Sequence, residues 1–153
     1  MKILMVCLGN ICRSPIAEGI LRHKLRLMKN TDILTDSAGT SNFHTGEAPD
    51  TRMRMTAVRN GMDISDLRAR QFCTDDFDDF DLIYAMDLNN KKDILSLARN
   101  DDDVKKVKLI LDELYPGENR EVPDPYYGGD DGFQDVFDML DEATDQLIAR
   151  YVE

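Results

Sequence analysis

Apolar positions in this sequence form short continuous runs that alternate with longer segments of helical period. Runs bounded by turn residues are typical of buried strands, and the candidates are KILMV (2–6), FDLIYAMD (80–87) and VKLIL (107–111). DILTDSAGT (32–40) is expected to form a short strand followed by a Ser/Gly turn. Helical spacing of apolar residues extends from Pro15 onward, over 50–60, over 88–99, and from Phe133 to Tyr151. Asn60 and Gly61 are expected to end the second of these helices.

This alternation predicts a single α/β domain over residues 1–153. We expect a doubly wound, flavodoxin-like three-layer α/β/α fold with a four-stranded parallel sheet. Ligands in such folds bind beyond the carboxyl ends of the strands, and Cys7 lies at that end of the first strand. Residues 112–132 are rich in Pro, Gly and Asp and are predicted to form one loop, long enough to suggest a function.

The charge and cysteine content restrict the possible partners and compartment. The chain has 30 acidic and 19 basic residues and a net charge of −11, which argues against general affinity for nucleic acid or an anionic membrane. No signal peptide or apolar run of membrane-spanning length is evident. The three cysteines are an odd number without a secretory signal, so we expect free thiols in a cytoplasmic protein.

The stretch VCLGNICRSP (6–15) carries the most informative chemistry. A loop that curls over a helix N-terminus directs backbone N–H groups and a positive dipole towards an anion. Gly9 is expected to permit the sharp turn, and Ser14 with Pro15 to be the N-cap and first residue of the helix. The Arg13 guanidinium can grip two phosphoryl oxygens, and the same positive surroundings favour a thiolate at Cys7. The pattern predicts a phosphate cradle that contains its own nucleophile.

A second candidate lies in VPDPYYGG (122–129), where Asp124 stands between two prolines. The prolines restrict the backbone on both sides, and a rigidly presented carboxyl suits a general acid that protonates a leaving oxygen. An isolated Asp-Pro is more often only a turn, so this assignment depends on the cysteine loop, which we define as residues 7–14.

VCLGNICRSPIAE together with DPYYGG resembles the low-molecular-weight protein tyrosine phosphatases, and TDSAGT (35–40), RARQF (68–72) and YAMD (84–87) extend the likeness over nearly the whole chain. The resemblance implies that Cys7 forms a phosphocysteine intermediate, Arg13 clamps the phosphate, and Asp124 acts as acid and then as base. It also implies no metal and no cofactor. The remaining implied site residues are the phosphate-binding Leu8, Gly9, Asn10, Ile11, Cys12 and Ser14 and the supporting Ser37 and Asp87, with Asn10 ordering the loop and Ser14 stabilising the thiolate.

The same resemblance suggests which residues contact the substrate ring. Phe43 falls where relatives commonly have Trp or Tyr, and with Leu8, Tyr126 and Tyr127 it is expected to wall the specificity cleft. The two tyrosines are alternatively surface residues or contacts that fix the loop.

Four further residues carry weaker expectations. The resemblance suggests that Cys12 can form a protective disulfide with Cys7, and the alternative is that it is a small loop filler. Cys73 is expected to be packed. Leu67 departs from the histidine common in relatives, so its region is left out of the site. His44, like the other histidine of the chain, is assigned no role, because two isolated histidines give no metal set.

Three alternatives to a phosphotyrosine phosphatase stay open. A protein arginine phosphatase is disfavoured by Ile11, since relatives that prefer phosphoarginine tend to have threonine there. An arsenate reductase would need a relay of further cysteines, and only Cys73 remains. A phosphocysteine carrier or silent binding module would not need Asp124. The expected partners are a phosphotyrosine-containing protein as substrate and inorganic phosphate as product, with the enzyme a monomer.

Overall fold

The computed structural model describes residues 1–129 and 131–152, apart from the side chain of Tyr127. Its centre is a parallel sheet of four strands in the order β2-β1-β3-β4. The strands are β1 (Lys2–Cys7), β2 (Leu34–Gly39), β3 (Leu82–Ala85) and β4 (Val107–Leu109). The predicted four-stranded parallel α/β architecture is therefore confirmed.

The helices connect these strands and cover both faces of the sheet. They are α1 (Arg13–Leu27), α2 (Thr51–Arg59), α3 (Asp75–Asp79), α4 (Leu88–Leu95), α5 (Asp101–Lys106) and α6 (Asp131–Tyr151), with short 3-10 turns at Ile110–Glu113 and Pro125–Tyr127. Among the described helices, none is both long enough and apolar enough to cross a membrane.

Alternating side chains of β1 enter two separate cores, as the two-residue period of a strand requires. Ile3 and Met5 pack with the apolar residues of α1, α2 and α6 on one face. Leu4 and Val6 pack on the other face with Phe77 of α3 and with residues of α4. All four of these β1 side chains have no exposed surface, so the strand that precedes Cys7 is rigidly held.

Several predicted boundaries were wrong in detail. The predicted helix over 88–99 ends at Leu95, and α3 and α5 were not predicted, because they are short and acidic and lack a long apolar stripe. The segment 112–132 is not one irregular loop. It contains the end of one 3-10 turn, the whole of another, and the start of α6.

The strand register brings the functional segments to one edge of the sheet. Cys7 pairs with Gly39, and Val6 pairs with Ala85, so β1, β2 and β3 end together. A Cβ at Gly39 would lie only 2.7 Å from the Leu8 carbonyl oxygen. Glycine at this position therefore allows the cysteine loop to pack directly on the end of β2.

Candidate active site

Cys7 is buried at the end of β1, and its sulfur is surrounded by polar groups of the cysteine loop. The Ser14 hydroxyl lies 3.0 Å from Cys7 Sγ, and the Asn10 amide N–H donates to the same sulfur at 3.3 Å. The sulfur therefore has a hydroxyl and a backbone N–H within hydrogen-bond distance, and both belong to the cysteine loop. Among the hydrogen bonds of the described residues, none uses the amide N–H of Gly9, Ile11 or Cys12, which leaves these groups able to bind an anion.

Asn10 holds the loop in its curled form. Its backbone has a φ of 57°, in the left-handed region that asparagine tolerates better than most residues. Its side-chain Nδ2 donates to Ser14 Oγ at 2.7 Å and to Ser37 Oγ at 3.0 Å. The sharp turn attributed to Gly9 is therefore made by Asn10. Glycine at position 9 instead leaves room for His44, whose Cδ2 would lie 3.0 Å from a Cβ there.

Ser14 is not the N-cap that the sequence predicted. Helix α1 begins at Arg13, with Cys12 in the capping position and no side-chain cap. The Ser14 hydroxyl instead accepts the Asn10 hydrogen bond and contacts Cys7. The hydroxyl therefore contacts the Cys7 sulfur and does not cap the helix.

Arg13 is buried at the start of α1, with its guanidinium fixed from one side. Nη1 donates to Asp87 Oδ2 at 2.6 Å and to the Val122 carbonyl at 3.0 Å. Burial opposes its charge, but the neighbouring Cys7 and Asp87 keep the pKa of Arg13 above its ordinary value. Within the described part of the chain no hydrogen bond occupies Nε or Nη2, so this edge can grip two phosphoryl oxygens.

Asp87, predicted with Ser37 to support the site, contacts both Arg13 and the start of its own helix. It is the N-cap of α4, where Oδ1 accepts the Asn90 amide N–H at 2.7 Å while Oδ2 accepts from Arg13. A capping carboxylate cannot move far without uncapping its helix. Asp87 therefore orients the Arg13 guanidinium.

Asp124 lies across the cleft from Arg13, in what we call the Asp124 turn (residues 122–128). Its Oδ2 is 3.7 Å from Arg13 Nη2, and its Oδ1 accepts the Tyr126 amide N–H at 2.9 Å. The turn is fixed at its start because Val122 is buried and its N–H donates to the Met86 carbonyl at 2.8 Å. The carboxyl is thus presented at the mouth of the phosphate cradle.

Glu18 and Arg70, which the sequence analysis did not assign to the site, complete the hydrogen-bond network beneath the cysteine loop. Ser37, on β2, donates to Glu18 Oε1 at 2.7 Å, and the Arg70 amide N–H donates to Asn10 Oδ1 at 3.0 Å. Burial raises the pKa of Glu18 to about 7. A lone acid in the apolar stretch PIAEGIL was the available signal for Glu18. The segment around Leu67 was left out of the predicted site, but it contacts the cysteine loop through the Arg70 amide N–H.

A cavity of about 170 Å³ opens over this cradle. It is lined by Cys7, Leu8, Gly9, Ile11, Cys12, Arg13, His44, Asp124 and Tyr126. Leu8 and Tyr126 are thus placed where a substrate ring was expected. Phe43 is 83% exposed and does not line the cavity, whereas His44, assigned no role from the sequence, does. The side chain of Tyr127 lies outside the described residues.

The two other cysteines differ from each other. Cys12 is buried near Cys7, and burial, with Asp50 and Cys7 nearby, raises the pKa of its thiol. Both Cys7 and Cys12 are free thiols here, and their pairing stays a prediction. Cys73, expected to be packed, is exposed, because its neighbour Phe72 takes the buried position before α3.

A buried cysteine beside backbone N–H groups, an arginine next to it and a carboxyl facing that arginine are the groups that a cysteine-dependent phosphatase requires. The sequence profile of the family described as "Low molecular weight phosphotyrosine protein phosphatase" matches residues 2–153. The chain belongs to this family, as the motifs predicted.

Individual proteins agree with this assignment. A Synechocystis protein that carries the family's name is 46% identical over 149 residues, covering 97% of this chain and 94% of the relative. A crystal structure of a protein tyrosine phosphatase from Entamoeba histolytica superposes with a TM-score of 0.91 at 39% identity, covering 98% of this chain and 96% of that one. A Drosophila arginine phosphatase superposes with a TM-score of 0.89 at 30% identity, covering 100% of this chain and 99% of that one.

Proposed function

We propose that this protein hydrolyses phosphotyrosine in protein substrates through a phosphocysteine intermediate. The observation that carries the proposal is the placement of three groups around one cavity. The Cys7 sulfur contacts Ser14 and Asn10. The Arg13 guanidinium uses only Nη1 for hydrogen bonds among the described residues, and the Asp124 carboxyl lies 3.7 Å from its Nη2. Membership of the phosphotyrosine protein phosphatase family supports the same activity.

The first chemical step forms a bond between Cys7 Sγ and phosphorus and breaks the bond between phosphorus and the phenolic oxygen. Arg13 and the free loop amides stabilise the charge on the equatorial oxygens. The Asp124 carboxyl gives its proton to the departing oxygen, so that a neutral phenol leaves.

The second step regenerates the enzyme. Asp124, now ionised, takes a proton from water as the water oxygen attacks phosphorus, and the bond between sulfur and phosphorus breaks. Inorganic phosphate leaves, and Cys7 returns to the thiolate that Ser14 and Asn10 stabilise. No metal or cofactor is needed in either step.

Phosphoarginine is the main alternative to phosphotyrosine as substrate, since an arginine phosphatase shares the fold. Ile11 lines the cavity with Leu8 and Tyr126, and these apolar side chains suit a phenyl ring better than a charged guanidinium. We therefore favour phosphotyrosine. We also propose that the protein is a cytoplasmic monomer. Its free thiols suit a reducing compartment, and the family match over residues 2–153 supports one domain.

The test is phosphate release from matched phosphotyrosine, phosphoserine and phosphoarginine peptides, with chelator present. We expect release from the phosphotyrosine peptide, its abolition in Cys7→Ser, and a fall of about 100-fold or more in Asp124→Ala. Faster phosphate release from the phosphoarginine peptide than from the phosphotyrosine peptide would refute the proposed specificity. Release that persists in Cys7→Ser would refute the mechanism.

A further inference from the structure

Arg52, the second residue of α2, connects three parts of the molecule around the active site. Its first connection is to Asp50, the N-cap of its own helix. Arg52 Nε and Nη2 lie 3.2 and 3.1 Å from the two Asp50 carboxylate oxygens, and the Arg52 amide N–H donates to Oδ1 at 2.8 Å. The guanidinium is therefore held close to the helix start, although the side chain is 42% exposed.

The second connection is to the Asp124 turn and the third to α6. The Arg52 guanidinium carbon lies 5.2 Å from the centre of the Tyr126 ring and 4.6 Å from that of Phe133. Nη2 also donates to the Tyr126 carbonyl at 3.5 Å. Cations over aromatic faces at such distances are attracted to the rings. The charge thus holds the aromatic residue of the turn against the first turn of α6.

These contacts form a continuous link from the cysteine loop to the acid. The Asp50 amide N–H donates to the Ile11 carbonyl at 2.8 Å, which ties the start of α2 to the loop. At the other end, the Tyr126 amide N–H donates to Asp124 Oδ1 at 2.9 Å. Arg52 is the side chain between these two hydrogen bonds. It connects the Tyr126 end of the Asp124 turn to the cysteine loop, while Val122 fixes the other end of the turn.

We propose that Arg52 is a positioning residue that holds the Asp124 turn over the cysteine loop, so that the carboxyl can protonate the leaving oxygen. This inference rests on the proposed function. It predicts a specific defect: loss of Arg52 impairs leaving-group protonation, whereas the cysteine loop and Arg13, which keep their own contacts, still bind the phosphoryl group.

The test compares two small substrates. Phenyl phosphate has a strongly basic leaving oxygen that needs the proton, whereas p-nitrophenyl phosphate has a weakly basic one that scarcely does. Because kcat/KM reports the step that breaks the ester bond, we expect Arg52→Ala to lower it about tenfold or more for phenyl phosphate and less than about threefold for p-nitrophenyl phosphate. Arg52→Lys, which can keep the Asp50 ion pair, should recover part of the loss.

The matched control is Arg59→Ala. Arg59 is an exposed residue of the same helix that makes no ion pair or hydrogen bond with the described residues through its side chain. It should leave both kcat/KM values unchanged. A double variant gives the sharper readout: if Arg52 acts through Asp124, adding Arg52→Ala to Asp124→Ala should cause no further loss on phenyl phosphate.

Equal losses on both substrates, no loss on either, or full additivity in the double variant would overturn the positioning role. Urea unfolding of each variant shows whether it is folded, and Arg52→Lys provides the comparison if Arg52→Ala is not. Failure of the proposed function is distinguishable, because wild-type protein would then release no Cys7-dependent phosphate from either substrate.

Discussion

Glu18 is a buried carboxyl beneath the active site, and its removal should make the protein less sensitive to pH. The residue is 5% exposed, accepts a hydrogen bond from Ser37, and has Asp36 and Asp66 close enough to oppose its ionisation further. Glu18→Gln keeps an oxygen for Ser37 but cannot ionise. The variant therefore isolates the cost of placing this charge in the interior.

The magnitude and sign come from the pKa of Glu18, which burial raises from 4.5 to about 7. A raised carboxyl pKa means that ionisation is harder in the folded than in the unfolded protein. The stability from neutral Glu18 is fully present below pH 4.5 and is lost as the pH rises through about 7. A shift of this size corresponds to roughly 3 kcal/mol, most of which, about 2.5 kcal/mol, should be lost between about pH 5 and pH 8.5.

The assay is urea unfolding of wild type and Glu18→Gln at a series of pH values across that range. The free energy of unfolding of Glu18→Gln, relative to wild type, should rise by about 2.5 kcal/mol from the acid to the alkaline end. Glu142→Gln, on the exposed surface of α6, should track wild type. Parallel curves for Glu18→Gln and wild type would refute the reasoning, since they would mean that Glu18 ionises as easily inside the fold as outside.

Gly39→Ala would place a Cβ 2.7 Å from the Leu8 carbonyl oxygen. We therefore expect the free energy of unfolding, measured in urea, to fall by about 1–3 kcal/mol and kcat/KM to fall as well. Unchanged values would contradict the close packing. Asn10→Gly keeps the left-handed backbone but removes the side-chain bonds to Ser14 and Ser37, and should lower kcat/KM about tenfold or more. Asn10→Ala should be about 1 kcal/mol less stable still, and equal stability would argue against backbone strain. The Cys12 thiol should resist iodoacetamide because burial raises its pKa, whereas exposed Cys73 reacts; equal labelling in peptide mass spectra would show that Cys12 is accessible.

Local motifs in the sequence predicted the parts of the site that those motifs contain. Cys7 and Arg13 belong to a single loop between a strand and a helix, and the proline pair marked Asp124. The residues it missed act through tertiary contacts. Glu18 is connected to the cysteine loop through Ser37 on β2. Arg70 contacts the loop through its backbone N–H, a contact that its side-chain identity does not indicate.

The fold shows the same division. Continuous apolar runs identified β1, β3 and β4, because strands buried on both faces need such runs. Strand β2 has the more polar sequence LTDSAG, and the Ser/Gly turn expected at its end is part of the strand, where Ser37, Ala38 and Gly39 pair with β1. The short helices α3 and α5 were missed because helices of this length depend on capping and tertiary packing more than on a periodic apolar face. The Ser14 N-cap prediction was wrong because the hydroxyl is used by Cys7 and Asn10, a contact that requires the loop to be folded.

The central claim is that Cys7 carries the phosphoryl group during turnover, and trapping that intermediate tests it most directly. Acid quenching of the enzyme during hydrolysis of a phosphotyrosine peptide, followed by mass spectrometry of its fragments, should show one phosphoryl group on Cys7. Asp124→Ala should alter its amount, since Asp124 acts in both formation and breakdown. Phosphate release without a phosphoryl group on Cys7, or with the group on Cys12, would contradict the account.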